Sequence, residues 1–552
     1  MRIALINPIS RRTQGYHTVG SYIPQLGLQV LADLVPAPHT VDIIDEVFGL
    51  DGTEALIDKG RYDLIGLTAY TSGSTRAYEI AAMCRKRGIK TIMGGPHASA
   101  CPEEAALHFD SVAVGECDAI WPGIIADAAA GKLKPRYDGS LDDLETTGFG
   151  RGLQLRGAIN GNYDVSAIQT SRGCPVGCEY CSVTKFNGAP IRRRRIDDVI
   201  EEWNRTPKKF IFVVDDNFFG VGPKHAEWAK ELLREIIKRG KKRLWFSQTT
   251  LNMGGDEEGL KLAYKAGCRG MLIGFESFNE ATLKEYHKGI NRKSLADYQR
   301  MVDGFHKAGI AVFGGFIIGS DQDSPQTVAD TAEMAVKMGI DIVQITNLTP
   351  LPGTKMYDRF KAENKLVAMN YPSDWERYTF TETVYRPAKM TGRELDEAIC
   401  ELRYGAATQP WVWKRAIRTF LRTRSITTAG FVYGMNLGWK RMAKIQAPKD
   451  ASILGFKPQN TPRMRQVLDA FKMHAFARVA KLTSPKDAQM DPNTGAEVVT
   501  ASATSGAASL GGTPMPVLAG ASANASVSAT ALPVISTKPA ANIPAKSWHG
   551  DE

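Results

Sequence analysis

The chain has 552 residues, 43% of them hydrophobic and 23% charged, which is enough for two or three soluble domains and unlike a disordered or fibrous protein. No run of 18 apolar residues argues for a membrane-spanning helix, and eight cysteines are too few for a disulfide scaffold. A formal charge of +10 admits an anionic partner or surface without selecting nucleic acid.

The opening "MRIALINPIS" reads as a β-strand rather than a secretory signal, so a cytoplasmic location is expected. Up to about residue 140, strand and helix signals alternate. "RIALINP", "HTVDIIDEV", "YDLIGLTAY", "IKTIMGGPH" and "DSVAVGE" read as strands, with "LGLQVLADLV" and "AYEIAAMCRKRG" as helices. Such alternation predicts an α/β domain with a doubly wound parallel sheet, whose ligands lie beyond the carboxyl ends of the strands. The small and glycine-rich tokens expected there are Asn7 to Gly15, Thr68 to Ser74 and Gly94 to Ser99.

A polar, glycine-rich connector (residues 141–164) is predicted to lead to a second alternating series over 165–360. About six β/α units there suit a partial barrel of parallel strands, with catalytic groups at the strand C-terminal ends. Residues 361–484 read as helical and basic. The Ala/Ser/Gly/Thr/Pro-rich segment 485–552 reads as disordered, and Val498 to Thr537 carries no charge. "IRRRRIDDV" (Ile191 to Val199) reads as a solvated run leading into a helix, and no nucleic-acid partner is expected.

Chemistry concentrates in "SRGCPVGCEYCSVTKFNG" (Ser171 to Gly188), with Cys174, Cys178 and Cys181 at C-x3-C-x2-C spacing. The other five cysteines are scattered. A zinc site usually completes four ligands, and a redox dithiol needs two. Zinc completed from afar stays open as a reading. A triplet of thiolates suits an iron–sulfur cluster better, and three ligands on four irons leave one iron free for something that comes and goes.

"CPVGCEYC", with Tyr180 as the aromatic, resembles the signature of the radical S-adenosylmethionine enzymes. The resemblance implies a 4Fe-4S cluster whose open iron binds S-adenosylmethionine. Reductive cleavage there gives a 5′-deoxyadenosyl radical that abstracts hydrogen. Further positions match in order as cofactor-binding candidates: Asp215, Asp216 and Asn217 after the second strand, Gln248 after the third, Glu276 and Ser277 after the fourth, and Gly315 and Ile317 on the fifth. Helix capping is the structural alternative for the two aspartates. The chain departs from many relatives in reading "GSDQDS" where a glutamate would follow the fifth-strand glycine.

The front domain resembles the cobalamin-binding domain of the large cobalamin-dependent class, through "YIPQLGLQVLADLV", "GGPHASACPEEAA" and "VAVGECDAIWPGII". The cobalamin candidates are Thr71, Ser72, Gly94, Gly95, Pro96 and His97. The D-x-H-x-x-G motif that replaces the lower cobalt ligand is missing, leaving His17 and His97 as the local histidines. The implied reaction is methylation of an unactivated carbon in a small-molecule or lipid-like (isoprenoid) substrate, with oxidative cyclisation as the alternative. A non-catalytic iron–sulfur carrier is the rival class. The implied electron donor is of flavodoxin or ferredoxin type. Trp411, Trp413 and Trp439 sit among Arg and Lys, as in a helix lying on a membrane surface or a basic cap packed on the barrel.

Overall fold

The structure is a computed structural model that describes residues 1–12, 22–146, 157–407 and 411–439. All of these fall within the unit Met1–Ser484. His17, residues 440–484 and the segment from 485 lie outside the described residues, as does the side chain of Trp411.

The front sheet contains β1 (Arg2–Asn7), β2 (Thr40–Asp45), β3 (Leu64–Thr68), β4 (Lys90–Gly94), β5 (Ser111–Val114) and β6 (Arg136–Asp138), in the order β2-β1-β3-β4-β5-β6. Every pairing is parallel. Continuous apolar runs such as "IALI" form these strands because helices cover both faces. The period of two sends Ala4, Ile6 and Ile65 into one core and Ile3, Leu5 and Leu64 into the other. Strand order reverses at β1, and the crevice beyond β1 and β3 is where such sheets bind ligands.

The second sheet starts with β7 (Ser166–Ile168). A short antiparallel ladder of β8 (Ser171–Arg172) and β9 (Arg192–Arg193) follows. Then come β10 (Phe210–Val213), β11 (Leu244–Thr249), β12 (Cys268–Glu276), β13 (Ala311–Ile318) and β14 (Ile342–Asn347). The order β14-β13-β12-β11-β10-β7, parallel throughout, is the expected six-stranded partial barrel. Ile211, Trp245, Met271 and Val312 face the outer helices.

The inner face carries Phe212, Phe246 and Phe313, packed against Phe431, Val432, Met435 and Trp439 of the helix over residues 426–439. Phe212 and Phe246 stack at 4.4 Å. A Cβ at Gly270 would come within 2.3 Å of the Phe431 ring, so this glycine admits the plugging helix. The basic C-terminal region is thus in part a cap. Trp439 lies inside it, edge-on to Phe313 at 6.3 Å, while Trp413 lies outside, 54% exposed. Among the described residues no helix is long and apolar enough to cross a membrane.

Candidate active site

The cysteine loop leaves β7 at the C-terminal mouth of the barrel and is pinned at both ends. Asp215, fully buried just after β10, accepts the Thr170 N–H at 2.6 Å and the hydroxyls of Thr170 and Ser171, the latter at 2.9 Å. Its neighbour Asp216 accepts the Gly173 N–H at 2.8 Å and the Asn187 side-chain amide at 2.9 Å, joining the start of the loop to its end. Burial pushes both carboxyls above the ordinary range, and these hydrogen bonds oppose the rise. Gly173 has φ +97°, and a Cβ there would lie 2.1 Å from the Pro190 carbonyl. The Cys174 N–H donates to the Gly188 carbonyl at 3.1 Å.

The far side of the loop is tied to the rest of the mouth. The Glu179 N–H donates to the Tyr286 carbonyl, and the Glu179 carbonyl accepts the Met356 N–H, both at 3.2 Å. Tyr180 packs edge-on to Tyr286 at 5.2 Å. Cys178 is buried, and Cys174 and Cys181 are half-buried. Burial pushes the Cys181 thiol up to about 12 and raises Cys174 as well, while the Lys288 ammonium pulls both down. The three thiols act on one another as neighbouring charges. Among the described residues no three His, Cys, Asp or Glu converge as ligands of a single ion would.

Glu276 reaches the mouth through a break in the sheet. The β12–β13 register shifts between Gly274 and Glu276, and Glu276 takes φ +65°. Such a bulge re-aims a side chain. A Cβ at Gly274 would lie 2.2 Å from the Glu276 carboxylate, so only glycine leaves room for it. Lys288 donates to Glu276 at 2.9 Å and to the Tyr180 hydroxyl at 3.4 Å. Burial pulls the Lys288 ammonium down, but Glu276 and the Cys178 thiol outweigh it and hold it above the ordinary lysine range. Burial, reinforced by Glu276, drives the Tyr180 phenol well above its ordinary value.

A cavity of about 640 Å³ lies between the front sheet and the barrel mouth. The front domain contributes Asn7, Thr68, Tyr70, Ser72, Gly94, Gly95 and Trp121, and the barrel side contributes Gln169, Arg172, Asn187, Asp216 and Gln248. Gly95 has φ +85°, and a Cβ there would meet the Thr68 hydroxyl at 2.2 Å. An apolar arm is lined by Leu5, Gly66, Ile92, Ala113 and Trp121, whose buried indole N–H has no hydrogen-bond partner among the described residues. A roomy cleft with an apolar arm, a polar rim and one unmatched donor fits a large, flat group with amide side chains such as the corrin of cobalamin. An ion-pair clasp closes one side: Arg172 binds Glu116 at 2.9 Å and Asp118 at 2.7 Å, and Arg192 also holds Glu116.

The cofactor candidates separate accordingly. Asp216, Gln248, Ser72, Gly94 and Gly95 line the cavity, whereas Thr71, Pro96 and His97 do not. His97 is fully buried, its Nε2 3.0 Å from the Tyr78 hydroxyl and 3.3 Å from Glu104, its ring edge-on to Trp375. Asn217 spends its amide on Thr249, Thr250 and Gly220. Ser277 is buried and accepts the Asn279 N–H at 3.0 Å. Ile317 packs beside Tyr180, its carbonyl 3.4 Å from the Tyr286 hydroxyl. At Gly315 a Cβ would meet nothing closer than 3.7 Å, leaving bare backbone at the mouth. Sequence reasoning missed Lys288, Trp121 and the Arg172–Glu116–Asp118 clasp. Lys288 follows Glu276 by twelve residues, but its pairing to Tyr180 spans 108 positions and leaves no local signal.

Comparison with known proteins agrees with this geometry. Residues 15–124 match the B12 binding domain and residues 168–335 the radical SAM superfamily. The chain is 30% identical over 465 residues to bacteriochlorophyllide d C-8(2)-methyltransferase of Chlorobaculum tepidum, covering 78% of this chain and 96% of that protein. It is 27% identical over 363 residues to hopanoid C-2 methylase of Rhodopseudomonas palustris, covering 63% and 66%. In fold it is similar to the radical S-adenosylmethionine methyltransferase TsrM of Kitasatospora setae, solved with cobalamin and a [4Fe-4S] cluster. The TM-score is 0.60 at 16% identity, over 80% of this chain and 99% of that one.

Proposed function

The chain belongs to the cobalamin-dependent radical S-adenosylmethionine methyltransferases, and from that premise we propose that it methylates an unactivated carbon of an apolar, lipid- or pigment-like small molecule. The observation that carries the reading is a cavity that the cobalamin-type sheet shares with Arg172 and Asn187 of the cysteine-loop segment and with Asp216 that tethers it. Cys174, Cys178 and Cys181 would hold the cluster, the bare backbone around Gly315 would lie beside S-adenosylmethionine, and the cleft from Gly94 to Trp121 would hold cobalamin. Bound there, the cluster with S-adenosylmethionine supplies a radical able to take hydrogen from carbon, and cobalamin supplies a methyl group. Lys288 offsets the charge of the thiolates in a buried site, and Glu276 holds that ammonium in place. Asp215 and Asp216 fix the loop, and the Arg172 clasp holds the front domain against it.

The substrate class rests on two supports. Relatives are named for action on bacteriochlorophyllide d and on hopanoids. In addition, the helix Trp411–Thr423 leaves Trp413, Ile417 and Phe420 exposed on one stripe, followed by Ile426. Residues 411–439 contain no Asp or Glu, and beside the stripe Lys414 is half-buried and Arg424 exposed, a pattern that fits peripheral contact with an anionic membrane. The test is anaerobic incubation of the reconstituted protein with methyl-deuterated S-adenosylmethionine and separated lipid, pigment and polar fractions. Label is expected in an apolar product. Label confined to polar metabolites would overturn the substrate class. Flotation of the full chain with anionic vesicles tests the membrane contact, which fails if the protein stays unbound at low salt.

A further inference from the structure

The helical segment after β12 has one side turned to the cysteine loop and the other to solvent. On the inner side, the Tyr286 carbonyl accepts the Glu179 N–H at 3.2 Å, and Glu179 adjoins Cys178. Lys288, two residues on, reaches Tyr180. On the outer side lies an open depression of about 690 Å³ lined by Lys284, His287, Arg292 and Gln322. Lys284, His287, Arg292 and the adjacent Lys293 are exposed, and none forms an ion pair among the described residues. The acids of the same stretch are Glu280, exposed, and Glu285, half-buried, whose carboxylate accepts the Asp321 N–H and lies 3.9 Å from Arg359. On the outer helices Arg234 is paired with Glu227 and Glu258 and Arg239 with Asp197 and Glu235, whereas the cations of this face stand close together with no such acid paired to them among the described residues. Three cations without an ion pair among the described residues, Lys284, Arg292 and Lys293, therefore gather with His287 where the surface stands one hydrogen bond from the cysteine loop.

We propose that this face, centred on Lys284, Arg292 and Lys293, docks an acidic one-electron protein carrier of flavodoxin or ferredoxin type that reduces the cluster. The inference rests on the functional reading above, since only an enzyme that cleaves S-adenosylmethionine reductively needs a donor here. The Tyr286 carbonyl, the Glu179 N–H and Cys178 make a short bonded route inward. Weak redox encounters use small interfaces and rely on opposite charge for their on-rate. The electron passes from the reduced carrier to the oxidised cluster, leaving the carrier oxidised by one electron. No proton or group moves between the two proteins.

The test uses the full, cluster-reconstituted chain and measures S-adenosylmethionine cleavage driven by reduced flavodoxin and, separately, by dithionite. The triple variant Lys284→Glu, Arg292→Glu, Lys293→Glu should lose about tenfold or more of the flavodoxin-driven rate at low salt, with the deficit shrinking as salt rises. Its dithionite-driven rate and iron content should match the parent. An equal charge change at Lys238, Lys242 and Lys265, on the outer helices and the opposite end of the barrel, should leave both rates alone. An unchanged flavodoxin rate in the triple variant, or an equal fall with both reductants, would overturn the docking face. Absence of dithionite-driven cleavage in the iron-loaded parent would overturn the functional reading, and the docking face with it.

Discussion

Around the cysteine loop the protein works with side chains, each pinned by named partners: Asp215 and Asp216 hold the loop from the end of one strand, and Glu276, at the end of another, holds Lys288 against the loop's Tyr180. In the cavity beneath the front sheet it works with what it leaves out. Glycines at 66, 94 and 95, small hydroxyls and apolar surface open a cleft, and an indole N–H is left unmatched. The difference follows from the ligands. A cluster needs covalent donors in fixed places and compensation for their charge, whereas a large corrin needs room and a few polar contacts. The first cradle should therefore fail by loss of one residue, and the second by addition of one atom.

The largest effect is expected from Cys178→Ala, which removes a proposed cluster ligand. Iron content should fall and S-adenosylmethionine cleavage drop to background while the circular dichroism spectrum persists. Lys288→Met comes next, because it leaves Glu276 buried without its partner. A loss of about 3–5 kcal/mol in denaturant unfolding is expected, much of it restored in Lys288→Met/Glu276→Gln. On the cavity side, Gly95→Ala places a Cβ on the Thr68 hydroxyl at positive φ. It should cost about 1–3 kcal/mol and lower bound cobalamin on gel filtration, while iron stays at the parent level. If it depletes iron equally, the two cradles are not independent.

The smallest effect concerns pH. Burial raises the Glu285 carboxyl to about 7, against the pull of the Asp321 N–H. A carboxyl raised in the folded state favours folding while protonated, and that contribution disappears as pH climbs from the ordinary carboxylate range through 7. Thermal melting at pH 5 and pH 8 should show the parent losing stability relative to Glu285→Gln on going to the higher pH. An unchanged difference would place Glu285 in water.

The sequence made the alternating strands and helices legible because parallel strands covered on both faces are written as unbroken apolar runs, "RIALIN" and "AVFGGFII" among them. The proposed thiolate cradle was legible because all three cysteines lie within eight consecutive residues. The compensating Lys288 was not, because its use depends on a β-bulge at Gly274–Glu276 that no periodicity announces. The Arg172 clasp pairs residues 54 and 56 positions apart, and its acids look from the sequence like ordinary turn residues. His97 was a cobalamin candidate only through the resemblance of "GGPHAS", a lone loop histidine being more often a hydrogen-bonding residue, and the fold turns it onto Tyr78 and Glu104. The tryptophans of the C-terminal region looked alike in sequence. Helix packing sent Trp439 into the barrel and left Trp413 on the surface.

The most direct test of the account is metal and product analysis of the anaerobically reconstituted protein, mixed with S-adenosylmethionine and dithionite. The account predicts about four irons per chain and release of 5′-deoxyadenosine. A single bound zinc or iron without cleavage of S-adenosylmethionine would contradict it.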